Sequence, residues 1–314
     1  MTEKIAVIGS GLIGRGWSIS FARAGYDVAL YDADPQAAEA AFAYVGSVLV
    51  DLHENNLLGG ATPEEVRVRI SPTKNLTEAL AGALHVQENT PERIDTKIAV
   101  FRELDRLAEP NAVLASSTSA LLPSAFTEGL MRPHRCLVVH PINPPYLVPA
   151  VEVVPAPWTS PETTERACHL MRTVGQAPIV MKRELAGFVM NRLQGALLQE
   201  AFRLVAGGYA GVEDVDIGIR DGLGLRWAFM GPFETIDLNA PGGVADYIAR
   251  YGGLYQNLST TQQHIANWAD TGQEIEAERR AILPAERLAE HTRWRDRRLM
   301  ALLVHKRIAA HEID

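Results

Sequence analysis

Ile5-Ala6-Val7-Ile8 is an unbroken apolar run between Lys4 and Gly9, the pattern expected of a strand buried on both faces. Residues 12–24 then carry apolar side chains at helical spacing and stop at Gly25, a common C-terminal end. Asp27-Val28-Ala29-Leu30-Tyr31-Asp32 reads as the second strand, and an alanine-rich helix is expected over residues 35–57. The rhythm continues with a strand at 84–88, a helix at 93–107 and strands at 112–116, 136–140 and 151–154. A helix at 161–174 and a strand at 177–181 complete it. Strands alternating with helices imply right-handed crossovers and a parallel sheet, so the expected fold is α/β with a doubly wound sheet.

The pattern changes near Lys182. Over residues 184–205 the apolar positions Leu185, Phe188, Val189, Leu193, Leu197, Phe202 and Val205 repeat at helical spacing. Beyond them come helical segments and Gly/Pro turns with few strand signals. A boundary is therefore expected near Gly187, with an α/β domain over 1–186 and a mostly helical domain over 187–314. A length of 314 residues agrees with about two domains.

Composition adds exclusions. With 47% hydrophobic and 22% charged residues, the chain has the ordinary balance of a folded core rather than of a disordered segment. Its 38 acidic against 30 basic residues give a net charge of −8, which opposes a general nucleic-acid partner. Two cysteines cannot make a disulfide framework, so a reducing, cytoplasmic compartment is expected. Met1-Thr2-Glu3-Lys4 leads at once into the first strand, with no signal-peptide core. No apolar run approaches the roughly 20 residues that span a bilayer, so no membrane partner is expected.

Gly9-Ser10-Gly11-Leu12-Ile13-Gly14 fits G-x-G-x-x-G, follows a strand and opens a helix, which is the context this motif requires. Gly9 would permit the tight turn, Gly11 the approach of a pyrophosphate, and Gly14 close packing of helix on strand. The backbone of Leu12 and Ile13, at the helix N-terminus, would supply donors to the phosphates. Asp32 stands eighteen residues after Gly14, where a carboxylate accepts from the ribose and repels the extra phosphate of NADP. NAD is the expected cofactor. FAD uses the same fingerprint, but an acid–base pair downstream fits hydride transfer to a nicotinamide better.

That pair is His140, at the end of an apolar strand, and Glu152, in the run Val151 to Val154. A carboxylate among valines requires a partner, and a histidine on a neighbouring strand end would serve. Two motif blocks accompany them, Ser116-Ser117-Thr118-Ser119 and Gly187-Phe188-Val189-Met190-Asn191-Arg192. Further on come the segment from Gly224 to Thr235 and Trp294-Arg295-Asp296. In order and spacing these blocks resemble the 3-hydroxyacyl-CoA dehydrogenases over nearly the whole chain. Within that family the resemblance is to the lambda-crystallin branch, the NAD-dependent L-gulonate 3-dehydrogenases. Its marks are His140-Pro141-x-Asn143-Pro144-Pro145, Ser-Ser-Thr-Ser at 116–119 and Leu238-Asn239-Ala240. L-carnitine dehydrogenases share part of this pattern.

The resemblance implies a Rossmann domain followed by a helical substrate and dimerisation domain, and a homodimer. It implies that His140 exchanges the hydroxyl proton, that Glu152 orients His140, and that Ser119 and Asn191 hold the substrate oxygen. Asn191 would reach the site from the second domain. Glu92 and Lys97 match a family pair near the cofactor ribose and nicotinamide, although both read as a partly solvated helix face. Ser119 could instead cap the helix suggested by Pro123. Asn143 is a further substrate-side candidate, and Arg226, flanked by Leu225 and Trp227, has the chemistry to meet a substrate carboxylate with two hydrogen bonds. The implied activity is oxidation of L-gulonate or another 3-hydroxy acid. 3-Hydroxyacyl-CoA and L-carnitine are alternative substrates, and a non-catalytic NAD-binding structural protein is the rival of another class. The nine histidines and two cysteines lack paired metal spacing, so no metal is expected.

Overall fold

The first apolar run forms β1 (Lys4–Ile8), followed along the chain by β2 (Asp27–Tyr31), β3 (Ile70–Thr73) and β4 (Ala83–Glu88). Then come β5 (Val113–Ser116), β6 (Cys136–Pro141), β7 (Ala150–Pro155) and β8 (Ala177–Val180). All eight join in one sheet of order β3-β2-β1-β4-β5-β6-β7-β8. This computed structural model describes residues 2–312. Among them, 2–191 and 295–312 form one unit, and Arg192–Trp294 forms another.

Strands β1 to β6 are mutually parallel, as the alternating pattern predicts, but β7 runs antiparallel to β6. The residues between them, 142–149, are too few for a crossover, so the chain turns back on itself. The helix Pro161–Thr173 then carries the chain to β8, parallel to β7. β3 escaped the sequence pattern because it is a four-residue edge strand with Pro72 inside it, and proline is confined to such edges. Two five-residue helices were also illegible, Pro63–Arg67 and Leu76–Leu80, capped by Thr62 and Asn75.

Alternation along β1 sends Ile5 and Val7 to one face and Ala6 and Ile8 to the other. The first face packs with Trp17, Phe21, Leu49 and Leu52. The second packs with Phe101, Leu104 and Phe126. Two buried layers thus fix the sheet, and its carboxyl edge remains for chemistry.

By contacts, the two units divide after Asn191 and again after Trp294. Gly187 and Phe188 adopt φ of +77° and +48°, so the helix expected from residue 184 begins only at Met190. Asn191 stays with the first unit. The C-terminal residues also return to it: Met300 is buried in the first core, Asn55 Nδ2 lies 3.7 Å from its sulfur, and Arg297 reaches Asp51 at 3.2 Å. The second unit is helical. It stacks Phe202 on Trp268 at 4.2 Å, while the helix Gly243–Thr261 buries none of its residues.

Candidate active site

Strand order reverses between β1 and β4, and a crevice forms beyond the carboxyl ends of strands at such a point. Gly9 lies there with φ of +90°. A Cβ on Gly9 would stand 2.8 Å from the Asn89 carbonyl, and one on Gly14 would stand 1.8 Å from the Gly9 oxygen. Neither position admits a side chain. Nothing lies within 4 Å of a Cβ built on Gly11, so its backbone is bare toward the crevice. The helix Leu12–Arg23 has no side-chain N-cap, which leaves its first amides as donors backed by the positive end of the dipole. That donor set suits a pyrophosphate. Leu12 is exposed and Ile13 lines the neighbouring cavity.

Asp32 follows β2. Its Oδ2 accepts from the Ser10 amide (2.7 Å) and hydroxyl (2.8 Å), and its Oδ1 from the Asp34 amide (3.1 Å). These bonds fix the carboxylate while leaving acceptor capacity for a ribose hydroxyl. Asp32, Asp34 and Glu103 line a cavity of about 770 Å³ with no lysine or arginine in its wall. A 2′-phosphate would meet only negative charge there. The crevice fits NAD.

β4 departs from the apolar pattern of a central strand, and Glu88 on it is wholly buried. Lys97 Nζ donates to both Glu88 oxygens (2.8 and 2.9 Å) and to the Thr90 carbonyl (2.9 Å), and the Ser116 hydroxyl donates to Glu88 at 2.6 Å. Lys97, expected on a partly solvated helix face, is therefore a buried counterion whose three protons are committed. The reason is Glu88, whose charge cannot stay unpaired inside the sheet. Glu92 is exposed and accepts from the Thr118 hydroxyl and the Ala120 amide, which ties it to the loop after β5.

His140 and Glu152 are direct cross-strand partners in the β6–β7 ladder, so they share a face. Nδ1 lies 2.7 Å from Glu152 Oε2, and both side chains are buried. Glu152 Oε1 accepts from the Val189 and Met190 amides at 2.6 and 2.9 Å. The left-handed turn at Gly187 and Phe188 aims those amides, and the buried Phe188 ring lies 5.8 Å from the imidazole. Burial alone pushes the Glu152 carboxyl up. The hydrogen bond from His140 and those from the two amides outweigh it and hold the carboxyl below its usual range. Beside a carboxylate, Nδ1 carries the proton and Nε2 keeps a lone pair.

His140 lines a cavity of about 340 Å³ together with Ser117, Ser119, Glu92, Lys97 and Asn143. Asn191 Nδ2 donates to the Ser119 carbonyl at 2.8 Å. The Ser119 hydroxyl has no protein partner among the described residues, and it does not cap the helix Pro123–Thr127, whose N-cap is Leu122. Arg226 stands exposed in the second unit on the short helix Gly224–Trp227. Gln87, Glu88 and Asn89 had not stood out in the sequence. Their only signal was polarity at the end of a central strand.

Among the described residues, no three His, Cys, Asp or Glu side chains converge as metal ligands, and no helix is long and apolar enough to cross a membrane. Cys136 and Cys168 are buried and unpaired.

The family model for the 3-hydroxyacyl-CoA dehydrogenase NAD binding domain matches residues 4–184, and that for the C-terminal domain matches 187–278. The lambda-crystallin homolog of Bos taurus is 43% identical over 302 residues, covering 95% of this chain and 94% of its own. An L-carnitine dehydrogenase of Pseudomonas sp is 35% identical over 308 residues, covering 96% and 93%. Among solved structures, an NAD+-dependent dismutase, 5-formyl-3-hydroxy-2-methylpyridine 4-carboxylic acid 5-dehydrogenase, superposes with a TM-score of 0.73 at 29% identity. That match covers 92% of this chain and 99% of the other.

Proposed function

The chain belongs to the 3-hydroxyacyl-CoA dehydrogenase family and is an NAD-dependent oxidoreductase; from that premise we propose that it oxidises the 3-hydroxyl of a free 3-hydroxy acid, L-gulonate first, to the 3-keto acid. The observation that carries the reading is the buried His140–Glu152 pair at the wall of a cavity beside the nucleotide crevice. Bound NAD supplies the hydride acceptor. His140 Nε2 takes the hydroxyl proton as the carbonyl forms and returns it in the reverse direction. Glu152 keeps the proton on Nδ1 and stabilises the imidazolium once it forms. The Ser119 hydroxyl, and the second amide proton of Asn191, hydrogen-bond the reacting oxygen and fix its direction toward His140.

L-gulonate is favoured over L-carnitine by the His-Pro-x-Asn-Pro-Pro run at 140–145, by Leu238-Asn239-Ala240 and by the higher identity to the lambda-crystallin homolog than to the L-carnitine dehydrogenase. Arg226 is proposed as the partner of the substrate carboxylate. In Arg226→Met the KM for the free acid should rise far more than that for its amide, and an unchanged ratio refutes the role. The substrate itself is tested by NAD reduction across L-gulonate, 3-hydroxybutyrate, L-carnitine and 3-hydroxybutyryl-CoA. Exclusive turnover of the CoA ester overturns the free-acid reading. His140→Gln should keep NAD binding and lose turnover, and retained turnover removes the mechanism.

A homodimer through the second unit completes the proposal. Leu193, Phe229 and Phe233 stand 63, 70 and 79% exposed, apolar surface that a second copy would cover. A monomeric mass by light scattering at micromolar concentration would exclude it.

A further inference from the structure

His85, Gln87 and Asn89 occupy alternate positions at and just beyond β4, so they point to one face of a strand flanked by β1 and β5. A central parallel strand is normally apolar. Here His85 and Gln87 are buried, and together with Ser117 the three residues make a chain of hydrogen bonds whose direction is fully determined. Gln87 Nε2 donates to the Val139 carbonyl (3.1 Å) and to Ser117 Oγ (2.7 Å). Its oxygen therefore faces His85 Nε2 at 2.9 Å, and that nitrogen carries the proton. Ser117 Oγ also accepts from Trp17 Nε1 at 3.0 Å, so its own proton goes to Asn89 Oδ1 at 2.8 Å. That bond turns Asn89 Nδ2 toward the Gln87 carbonyl (2.8 Å) and the Ile8 carbonyl (3.3 Å).

The chain ends under the nucleotide turn. Asn89 N donates to the Ile8 carbonyl at 2.7 Å, immediately before Gly9. The Asn89 carbonyl is the group that a Cβ on Gly9 would strike, and its Nδ2 lies 3.4 Å from a Cβ built on Gly14. Asn89 is thus a wedge that sets the height and tilt of Gly9–Gly14. Trp17 belongs to the helix which that turn opens. A single hydroxyl therefore ties together the helix, the end of β4 and the loop after β5.

We propose that Ser117 is a positioning residue for NAD: through Asn89 and Trp17 it holds the glycine turn and the helix N-terminus in the geometry that receives the pyrophosphate. Both oxygen lone pairs and the proton of Ser117 are committed, so the residue serves the site through this framework rather than by touching substrate. The lone pair of Ser119, two residues on, stays free.

The test is calorimetric titration of the whole protein with NAD. Ser117→Ala leaves the Trp17 N–H, one Gln87 N–H and the Asn89 oxygen without their partner, so the NAD Kd should rise by about tenfold. The loss in affinity should exceed any loss in kcat at saturating NAD by at least about fivefold, a split that general destabilisation does not produce. Ser117→Thr, which keeps the hydroxyl, should restore most of the affinity. In an Asn89→Ala background, Ser117→Ala should weaken NAD binding by clearly less than it does in the parent, because the Asn89 arm is already gone. An unchanged Kd in Ser117→Ala overturns the proposal, as does full additivity with Asn89→Ala. If Ser117→Ala does not fold, a Ser117→Thr Kd equal to that of Asn89→Ala has the same force.

Discussion

Glu152→Gln probes the reasoning most sharply, because the carboxylate has one oxygen for each of two tasks. Oε2 receives His140 Nδ1, and Oε1 receives the Val189 and Met190 amides. A glutamine has a single oxygen and must choose. With the NH2 toward the amides, two backbone donors lose their acceptor, at roughly 1–3 kcal/mol each. With the NH2 toward His140, only one bond is reversed, so this arrangement wins. It forces Nδ1 to accept and places the imidazole proton on Nε2, where the base should be. Loss of a charge-assisted bond alone corresponds to about 1.5–3 kcal/mol, or roughly 10- to 150-fold at about 1.4 kcal/mol per decade. The unfavourable tautomer adds to it, as in hydrolase triads. The expected result is a fall in kcat/KM of about 10² to 10³ with NAD affinity retained and thermal unfolding little changed. Steady-state kinetics on whichever hydroxy acid is turned over, with calorimetric titration by NAD, measure both. A well-folded variant within about fivefold of the parent would refute the orienting role of Glu152.

Three further outcomes follow from buried groups. Burial pushes the His85 imidazole down to about 4, with the Gln87 bond opposing it only in part. The unfolded chain then takes up a proton first, so this stability is complete above about pH 6.5 and declines toward pH 4, by about 2 kcal/mol between pH 7 and 5. Urea unfolding of His85→Leu should show a shallower pH slope by that amount, and an equal slope contradicts it. Lys97→Met strands the Glu88 charge and should destabilise by about 3–5 kcal/mol, with most of the loss recovered in Glu88→Gln/Lys97→Met; no recovery would mean that packing rather than charge dominates. Gly14→Ala brings a methyl within 1.8 Å of the Gly9 oxygen, so the turn must open and the NAD Kd should rise at least about tenfold; a calorimetric Kd equal to the parent's would show that the turn yields without consequence.

By itself the sequence determined the alternation of strand and helix, the G-x-G-x-x-G turn with its acidic partner and the identity of the acid–base candidates, because each is a local matter. Hydrophobic periodicity marks buried faces, and a glycine that must turn tightly or pack against backbone has no substitute. Tertiary structure decided the rest. The β6–β7 reversal makes His140 and Glu152 opposite partners, where spacing alone allowed a looser association. Lys97 reads as part of a partly solvated helix face, since nothing on its own helix reveals that Glu88 lies beneath it on β4. The C-terminal residues return to the first unit because Met300 finds its core among residues about 250 positions earlier, a pairing invisible to any local window. Residues 84–88 read as a strand like the others; only the fold brings Ser117 and Trp17 to its polar side chains, and that contact compensates their burial. Local pattern fixes which faces must be hidden, whereas the partners of buried polar groups are set by long-range packing.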